Sequence, residues 1–446
     1  MEQGLGKTKV TIDDNTRLHY EGEINACLLI SPNGIHTNWV KKEIPTHSRA
    51  KHISFLYRSG MGKKLKQSLN HFMNQKTDDL KYLCMNIEAL RTKEGLYTAE
   101  YFLKKHRCSM VIDESSIIKS PKAQVSKITV KLGQLAKYRR ILTGTPITQG
   151  PLDAWMQFKF LHPKILPFLN YTAFKSCFAI IVQKTFGARS FQSIEGYQNI
   201  PRLTEYIKPF SFRCLKKDCL DLPEKTYSSR YVELTKEQRK AYNELKSMAV
   251  TLLDSDVVTS TTPLSLLSKL LHISSGFVKG DAGHITRLPT NKPKALMDLW
   301  NECGQEKMVI FVKYKDNVRR LEELAKENDI GYVTYSGLNS NPDDRQAAVD
   351  RFQEDPSCKW FVATSAAARG LTLTAARYCV YYANDYSLET RLQSEDRIHR
   401  IGQGETCVYI DMLAEDTVEE AVIKALQGKQ DLATEVLSNL IKIISE

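Results

Sequence analysis

The sequence predicts an α/β protein with two parallel-sheet units separated by a mostly helical stretch. Three observations predict it. Short apolar runs alternate with helical segments, and the alternation occurs twice along the chain. Several runs end directly in polar or charged residues, at the strand ends where parallel sheets present ligand-binding groups. The length of 446 residues exceeds one ordinary core, so two or three domains are expected.

The elements follow in order. Residues 4–8 (GLGKT) form a glycine-rich loop that is a phosphate-binding candidate. Residues 27–30 (CLLI) read as a buried strand closed by the turn Ser31-Pro32-Asn33-Gly34, and residues 39–44 as helical. Further short strands are expected at 81–85, 109–112 and 139–142. Strand 109–112 runs into Asp113-Glu114-Ser115-Ser116, and 139–142 into Thr143-Gly144-Thr145-Pro146. Residues 151–293 read as mostly helical, with an aromatic group (Phe158, Phe160, Phe168, Tyr171, Phe174, Phe178) best explained as core. Residues 222–225 suggest a hinge leading to Tyr231-Val232-Glu233-Leu234. A second α/β pattern begins near Lys294, with strands at 308–312, 332–335, 360–363, 378–382 and 408–412. No segment reads as a hairpin that would wedge nucleic-acid strands apart.

Composition narrows the function classes. Hydrophobic residues at 42% and charged residues at 26% are ordinary for a globular protein. No apolar run is long enough to span a bilayer and no signal-peptide pattern occurs, so a cytoplasmic protein is expected. The ten cysteines include no C-x-x-C pair, which points away from zinc and towards reduced thiols. The net charge of +12 favours a polyanionic partner, nucleic acid first.

Five constellations carry chemistry. In Gly4-Leu5-Gly6-Lys7-Thr8 the glycines let backbone N–H groups approach phosphates, Lys7 reaches the outer phosphates, and the Thr8 hydroxyl suits Mg²⁺. An ordinary glycine-rich turn reads the same way. Asp113 suits a metal ion and Glu114 an attacking water, although acidic pairs after strands also serve as caps. Thr143, Gly144 and Thr145 form either a tight turn or a sensor of the γ-phosphate. Thr364, Arg369 and Gly370, in a stretch rich in small residues, either admit a phosphate backbone or make a packing turn. Near the C-terminal end, Arg397 and Arg400 lie three apart on one expected helix face, with Gln393 four residues earlier. A permanently charged guanidinium suits phosphate oxygens, and a solvated basic face is the bland alternative. Scattered lysine clusters read mainly as solvated faces.

In this order the motifs resemble the Swi/Snf-type ATPases, the duplex-DNA-translocating branch of superfamily-two helicases. The resemblance rests on GLGKT, CLLISPNGIHTNWVKKE, VIDESS, ILTGTPITQ, LPEKTYSSRYVELTKEQ, KMVIFVKY, YSG, ATSAAARGLTLTAA, QSEDRIHRIGQ and DTVEEAVIKALQGKQ. It is similar to the compact bacterial and phage members.

The resemblance implies two RecA-like lobes of the P-loop NTPase kind, a helical insertion and a C-terminal brace helix. The lobes are expected at 1–215 and 294–446, with a hinge and helical linker at 216–293. It implies ATP and Mg²⁺ as cofactors: Gly4, Gly6, Lys7 and Thr8 hold the phosphates, and Thr8 and Asp113 the metal. Asp113 and Glu114 serve hydrolysis, with Gln393, Arg397 and Arg400 supplied by the second lobe. Pro32, Asn33, Thr143, Gly144, Thr145, Gly337, Thr364, Arg369 and Gly370 are implied in DNA contact or coupling.

The expected activity is ATP-driven translocation on double-stranded DNA. The alternatives are a strand-separating DNA or RNA helicase, and a nucleic-acid-binding module with impaired ATPase. Two departures concern Ser115-Ser116, where the family carries His or another pair, and Thr148-Gln149, where it carries Gln-Asn. A third is that only three residues precede Gly4, so an N-terminally truncated reading of a longer motor is expected.

Overall fold

The computed structural model describes residues 1–33, 35–144, 146–147, 150–186, 189–254, 263–280, 284–336, 342–364, 370–385 and 387–427. The chain divides into two compact units, Met1–Cys219 and Leu220–Glu446.

The first unit holds strands β1 (Ala26–Ser31), β2 (His52–Leu56), β3 (Leu80–Asn86), β4 (Cys108–Asp113) and β5 (Tyr138–Leu142). They pair in parallel in the order β2-β3-β1-β4-β5. Central β1 and β4 are buried along their whole length, as strands covered on both faces must be. Successive side chains of β1 divide between two cores. Ala26, Leu28 and Ile30 join one, and Cys27 and Leu29 the other. Asn15, fully buried on the helix Lys7–Tyr20, fastens that helix to the sheet. Its amide donates to the Cys27 sulfur at 3.4 Å, and its carbonyl accepts from the Ser109 hydroxyl at 2.9 Å.

Edge strand β2 is absent from the sequence expectation because its residues, HISFL, are only half-buried and form no fully apolar run. The stretch 151–293 also departs from expectation. It contains an antiparallel hairpin of β6 (Ala179–Phe186) and β7 (Arg189–Tyr197), which corrects the mostly helical reading there. The β-branched run Ile180-Ile181-Val182 drives β6, and the preceding aromatic helix Tyr171–Phe178 masks its period.

The second unit begins with β8 (Lys225–Val232) and a short pair, β9 (Phe277–Lys279) and β10 (Ile285–Arg287). Then come β11 (Met308–Val312), β12 (Gly331–Tyr335), β13 (Cys358–Thr364), β14 (Tyr378–Tyr381) and β15 (Cys407–Ala414). Their parallel sheet runs β12-β13-β11-β14-β15-β8. The segment expected as a linker thus supplies an edge strand to this sheet, pairing from Lys225 to Val232 along β15. A helix, Val418–Gln427, packs back on the unit through Val418, Val422, Ile423 and Leu426.

One buried ion pair ties this unit together. Lys292 Nζ lies 2.9 Å from Glu419 Oε2, and both side chains are almost wholly buried. The ammonium also donates to the carbonyls of Tyr382 and Met412, while Glu419 accepts from Ala414 N–H and the Ser274 hydroxyl. Lys292→Met would strand a buried carboxylate. It is expected to cost about 3–5 kcal/mol, read as a lower urea midpoint for the second unit. An unchanged midpoint would show that the carboxylate finds other compensation.

Candidate nucleotide and nucleic-acid site

At the carboxyl edge of the first sheet, three parallel neighbours deliver three of the motifs. Strand β1 leads into Pro32 and Asn33, β4 ends at Asp113 before Glu114, and β5 leads into Thr143 and Gly144. Ile30 is in register with Ile112 and Asp113 with Leu142, so these ends lie side by side. Pro32 is buried and Asn33 exposed.

The glycine-rich loop lies against the same edge. Gly4 and Gly6 have φ of 82° and 80°, the left-handed region that glycine enters without cost. Gly6 caps the helix Lys7–Tyr20 with no side-chain hydrogen bond, and a Cβ there would meet nothing within 4 Å. The first-turn N–H groups therefore face an uncrowded, left-handed cradle of the kind that receives phosphate. Lys7 Nζ donates to the carbonyls of Met1 and Glu2, at 3.3 and 3.0 Å. Those residues are held in turn by residues 212–216: Glu2 N–H donates to Cys214 O, and the Glu2 carboxylate accepts from Lys216 N–H. A Cβ on Gly144 would sit 2.9 Å from Gln3 Cγ, so the loop after β5 and the glycine-rich loop are in contact.

Asp113 is buried, and burial pushes its carboxyl above the usual carboxylate range. The Trp39 indole N–H, donating to Oδ2 at 2.8 Å, and the charge of Lys7 work in the opposite direction. Trp39 lies 74 positions away in sequence and is not among the expected site residues. It begins a π-helical turn, Trp39–Glu43, set between helical turns Ile35–Asn38 and Ile44–His47. Such turns re-aim side chains and are frequent at functional sites. Glu114 is half-buried, with φ 53° and ψ 62°, a left-handed conformation that costs a non-glycine residue about 1–2 kcal/mol. Its backbone N–H donates to Asp113 Oδ1 at 3.0 Å.

The donor set fits Mg²⁺. A threonine hydroxyl and a buried carboxylate are the hard oxygen ligands that ion takes, and a divalent charge would favour ionised Asp113.

In the second unit, Gln393 lies in the helix Leu388–Glu395, whereas Arg397 and Arg400 lie beyond its end. The expected common helix face is therefore corrected. Beyond the helix end Arg397 N–H donates to Ser394 O, and Arg397 O accepts from Leu373 N–H. The arginines nevertheless converge, since Nη1 of each donates to Leu371 O, at 3.2 Å from Arg397 and 3.0 Å from Arg400. Leu371 follows Gly370 (φ 80°), and Thr364, which ends β13, is buried. Leu371–Leu373 is thus fastened to the arginine turn. Arg391 anchors the preceding helix through Glu395 and a forked bond to Asp411 on β15. Lys313, at the carboxyl end of β11, is pushed down to about 8 by burial. Thr145, Gly337 and Arg369 lie outside the described residues.

The SNF2-related domain matches residues 1–275, more than half of the chain. The chain belongs to the SNF2-related family. The helicase conserved C-terminal domain matches residues 291–402, which carry Arg397 and Arg400. The α/β architecture of the two units is the one expected of that family.

An uncharacterised ATP-dependent helicase of Mycoplasma genitalium is 27% identical over 443 residues, 98% of this chain and 40% of its own. The DNA repair and recombination protein RAD26 of Saccharomyces cerevisiae is 24% identical, over 98% of this chain and 44% of its own. Among solved structures, the Sulfolobus solfataricus SWI2/SNF2 ATPase core in complex with dsDNA is similar at 26% identity. It covers 98% of this chain and 87% of that one, with a TM-score of 0.40. The chain spans about two fifths of the length of the curated Mycoplasma relatives it matches (40% for each).

Proposed function

We propose that this SNF2-family chain hydrolyses ATP to translocate on double-stranded DNA in the cytoplasm. The observation that carries the reading is the meeting of the Gly4–Thr8 loop, the buried Asp113 and the half-buried Glu114 at one sheet edge. Residues 1–215 serve as the nucleotide-binding lobe and 294–446 as the second lobe, with 216–293 connecting them and lending β8 to the second sheet.

In this reading the N–H groups of the loop and the Lys7 ammonium bind the phosphates. Thr8 and Asp113 hold Mg²⁺, which supplies charge neutralisation to the phosphate oxygens when bound. Glu114 orients and deprotonates the attacking water. Arg397 and Arg400 oppose the charge that develops on phosphoryl transfer, with Gln393 beside them. Pro32, Asn33, Thr143, Gly144, Thr364 and Gly370 occupy loops suited to backbone contact, where small groups and N–H donors approach phosphates without reading bases. Thr145, Gly337 and Arg369 belong to the same proposal on sequence grounds. The net charge of +12 and the names of relatives, a DNA repair protein among them, support duplex DNA as the track.

The test is ATPase activity with duplex DNA and with RNA of equal length. DNA is expected to stimulate more, with little base preference, and binding is expected to weaken steeply as salt rises because phosphate contacts release counterions. A triplex-displacement assay reports movement. Stronger stimulation by RNA would overturn the reading.

The β6–β7 hairpin favours a second reading, strand separation. Forked-duplex unwinding that is lost on deleting residues 180–196, with ATPase retained, would establish it over simple translocation.

A further inference from the structure

The helix Ala154–Leu161 (AWMQFKFL) is almost entirely apolar where it is buried. Ala154, Trp155, Met156, Phe158 and Phe160 pack into the core of the first unit, and among them sits one fully buried amide, Gln157. Burying an amide costs free energy unless each polar atom is partnered, and a leucine or methionine would pack there without that cost. Gln157 is fully partnered. Its Nε2 donates to Pro146 O at 2.7 Å and to Asp153 O at 2.9 Å. Its Oε1 accepts from the Ser115 hydroxyl at 2.6 Å, and Ser115 is itself fully buried.

The bond to Asp153 lies within the helix's own first turn. The other two leave the helix and join segments that matter to the proposed reaction. Ser115 directly follows Glu114, whose backbone is left-handed. Pro146 belongs to the loop after β5. That loop's other flank, at Gly144, touches Gln3 beside the glycine-rich loop. A shift of the acidic pair therefore pulls on an amide whose opposite end holds the loop after β5. The direct bridge suits glutamine chemically, because one end must accept a hydroxyl proton while the other donates to a carbonyl. Asparagine is one methylene shorter, and glutamate lacks the donors.

We infer that Gln157 is a positioning residue that couples the acidic pair to the loop after β5, so that the state of the nucleotide and contact with nucleic acid sense one another. This inference rests on the proposed DNA-stimulated ATPase. It gives Ser115 a definite task where the family's usual residue is replaced. The relay runs through the hydroxyl to an amide on another helix.

The experiment compares the whole chain with Gln157→Met, Ser115→Ala and the double variant, measuring kcat and KM for ATP with and without duplex DNA, and Tm. In each single variant the DNA-stimulated kcat is expected to fall about tenfold, the scale of one buried hydrogen bond, with KM held within about twofold. The double variant is expected to fall no further than the worse single one, since both break the same bridge. Gln157→Glu keeps an acceptor for Ser115 and removes the bond to Pro146, so it is expected to lose stimulation as well. A purely packing role would instead lower Tm while leaving the stimulation ratio intact.

Variants stimulated like the wild type overturn the relay alone, as do single effects that multiply in the double variant. A wild type that DNA does not stimulate overturns the functional reading and the relay with it. If Gln157→Met fails to fold, Ser115→Ala, which removes one oxygen atom, decides the matter by the same ratio.

Discussion

Glu114→Gln is expected to bind ATP as the wild type does and to lower kcat by about 10²–10⁴-fold, the range for removing a positioned general base. Glu114 sits in the left-handed region at φ 53°, immediately beyond a buried Asp113, and its side chain is only half-buried. The preceding carboxylate is held by the Trp39 indole N–H, while Glu114 stands at the partly exposed edge of the sheet. Glutamine keeps the shape and tolerates the same backbone, but its amide does not accept the proton of water. Lys7→Ala should act differently, weakening nucleotide binding, because an ammonium placed at the phosphates acts on the bound state as well as on the transition state. Equilibrium binding of a fluorescent nucleotide, set beside single-turnover phosphate release, separates the two. Undiminished release from Glu114→Gln would remove Glu114 from the reaction.

Much of the fold is legible because strands buried on both faces must be apolar throughout. The runs at 27–30, 109–112 and 308–312 all appear as central strands. The positions of Asp113 at a strand end and Thr143 just past one are legible for the same reason, since an apolar run that stops at a polar residue marks the sheet's carboxyl edge. What escapes the sequence is whatever depends on contact at a distance. Trp39 looks like an ordinary core aromatic until the π turn places its N–H on Asp113. Gln157 is one amide in an aromatic helix, and nothing local announces that both of its ends are committed elsewhere. Edge strands β2 and β8 fail for another reason, since half-exposed strands need no continuous apolar run. The spacing of Arg397 and Arg400 matches a helix face, yet the helix stops at Glu395, and beyond it Leu371–Leu373 takes up the Arg397 carbonyl and both guanidinium groups, contacts no local pattern announces.

Those contacts separate the two arginines in the final prediction. Arg397 is nearly buried, with Nε donating to Gln393 O and Nη1 to Leu371 O, so its removal disturbs the turn itself. Arg397→Ala is therefore expected to lower both Tm and activity. Arg400 is only half-buried, and its Nη1 bond to Leu371 O is shared with Arg397, so the turn survives its loss. Arg400→Ala is expected to retain Tm and KM for ATP while DNA-stimulated kcat falls about 10³-fold, the scale of an arginine acting on phosphoryl-transfer charge. Lysine should not restore it, because a single ammonium lacks the planar fork that meets two phosphate oxygens together. The measurement is steady-state ATPase with saturating duplex DNA for Arg400→Ala and Arg400→Lys, alongside thermal unfolding. Full DNA-stimulated activity in both Arg397→Ala and Arg400→Ala would sink the proposed role of the second unit in hydrolysis. Equal losses of Tm and rate in Arg400→Ala would reduce Arg400 to a fastener of Leu371.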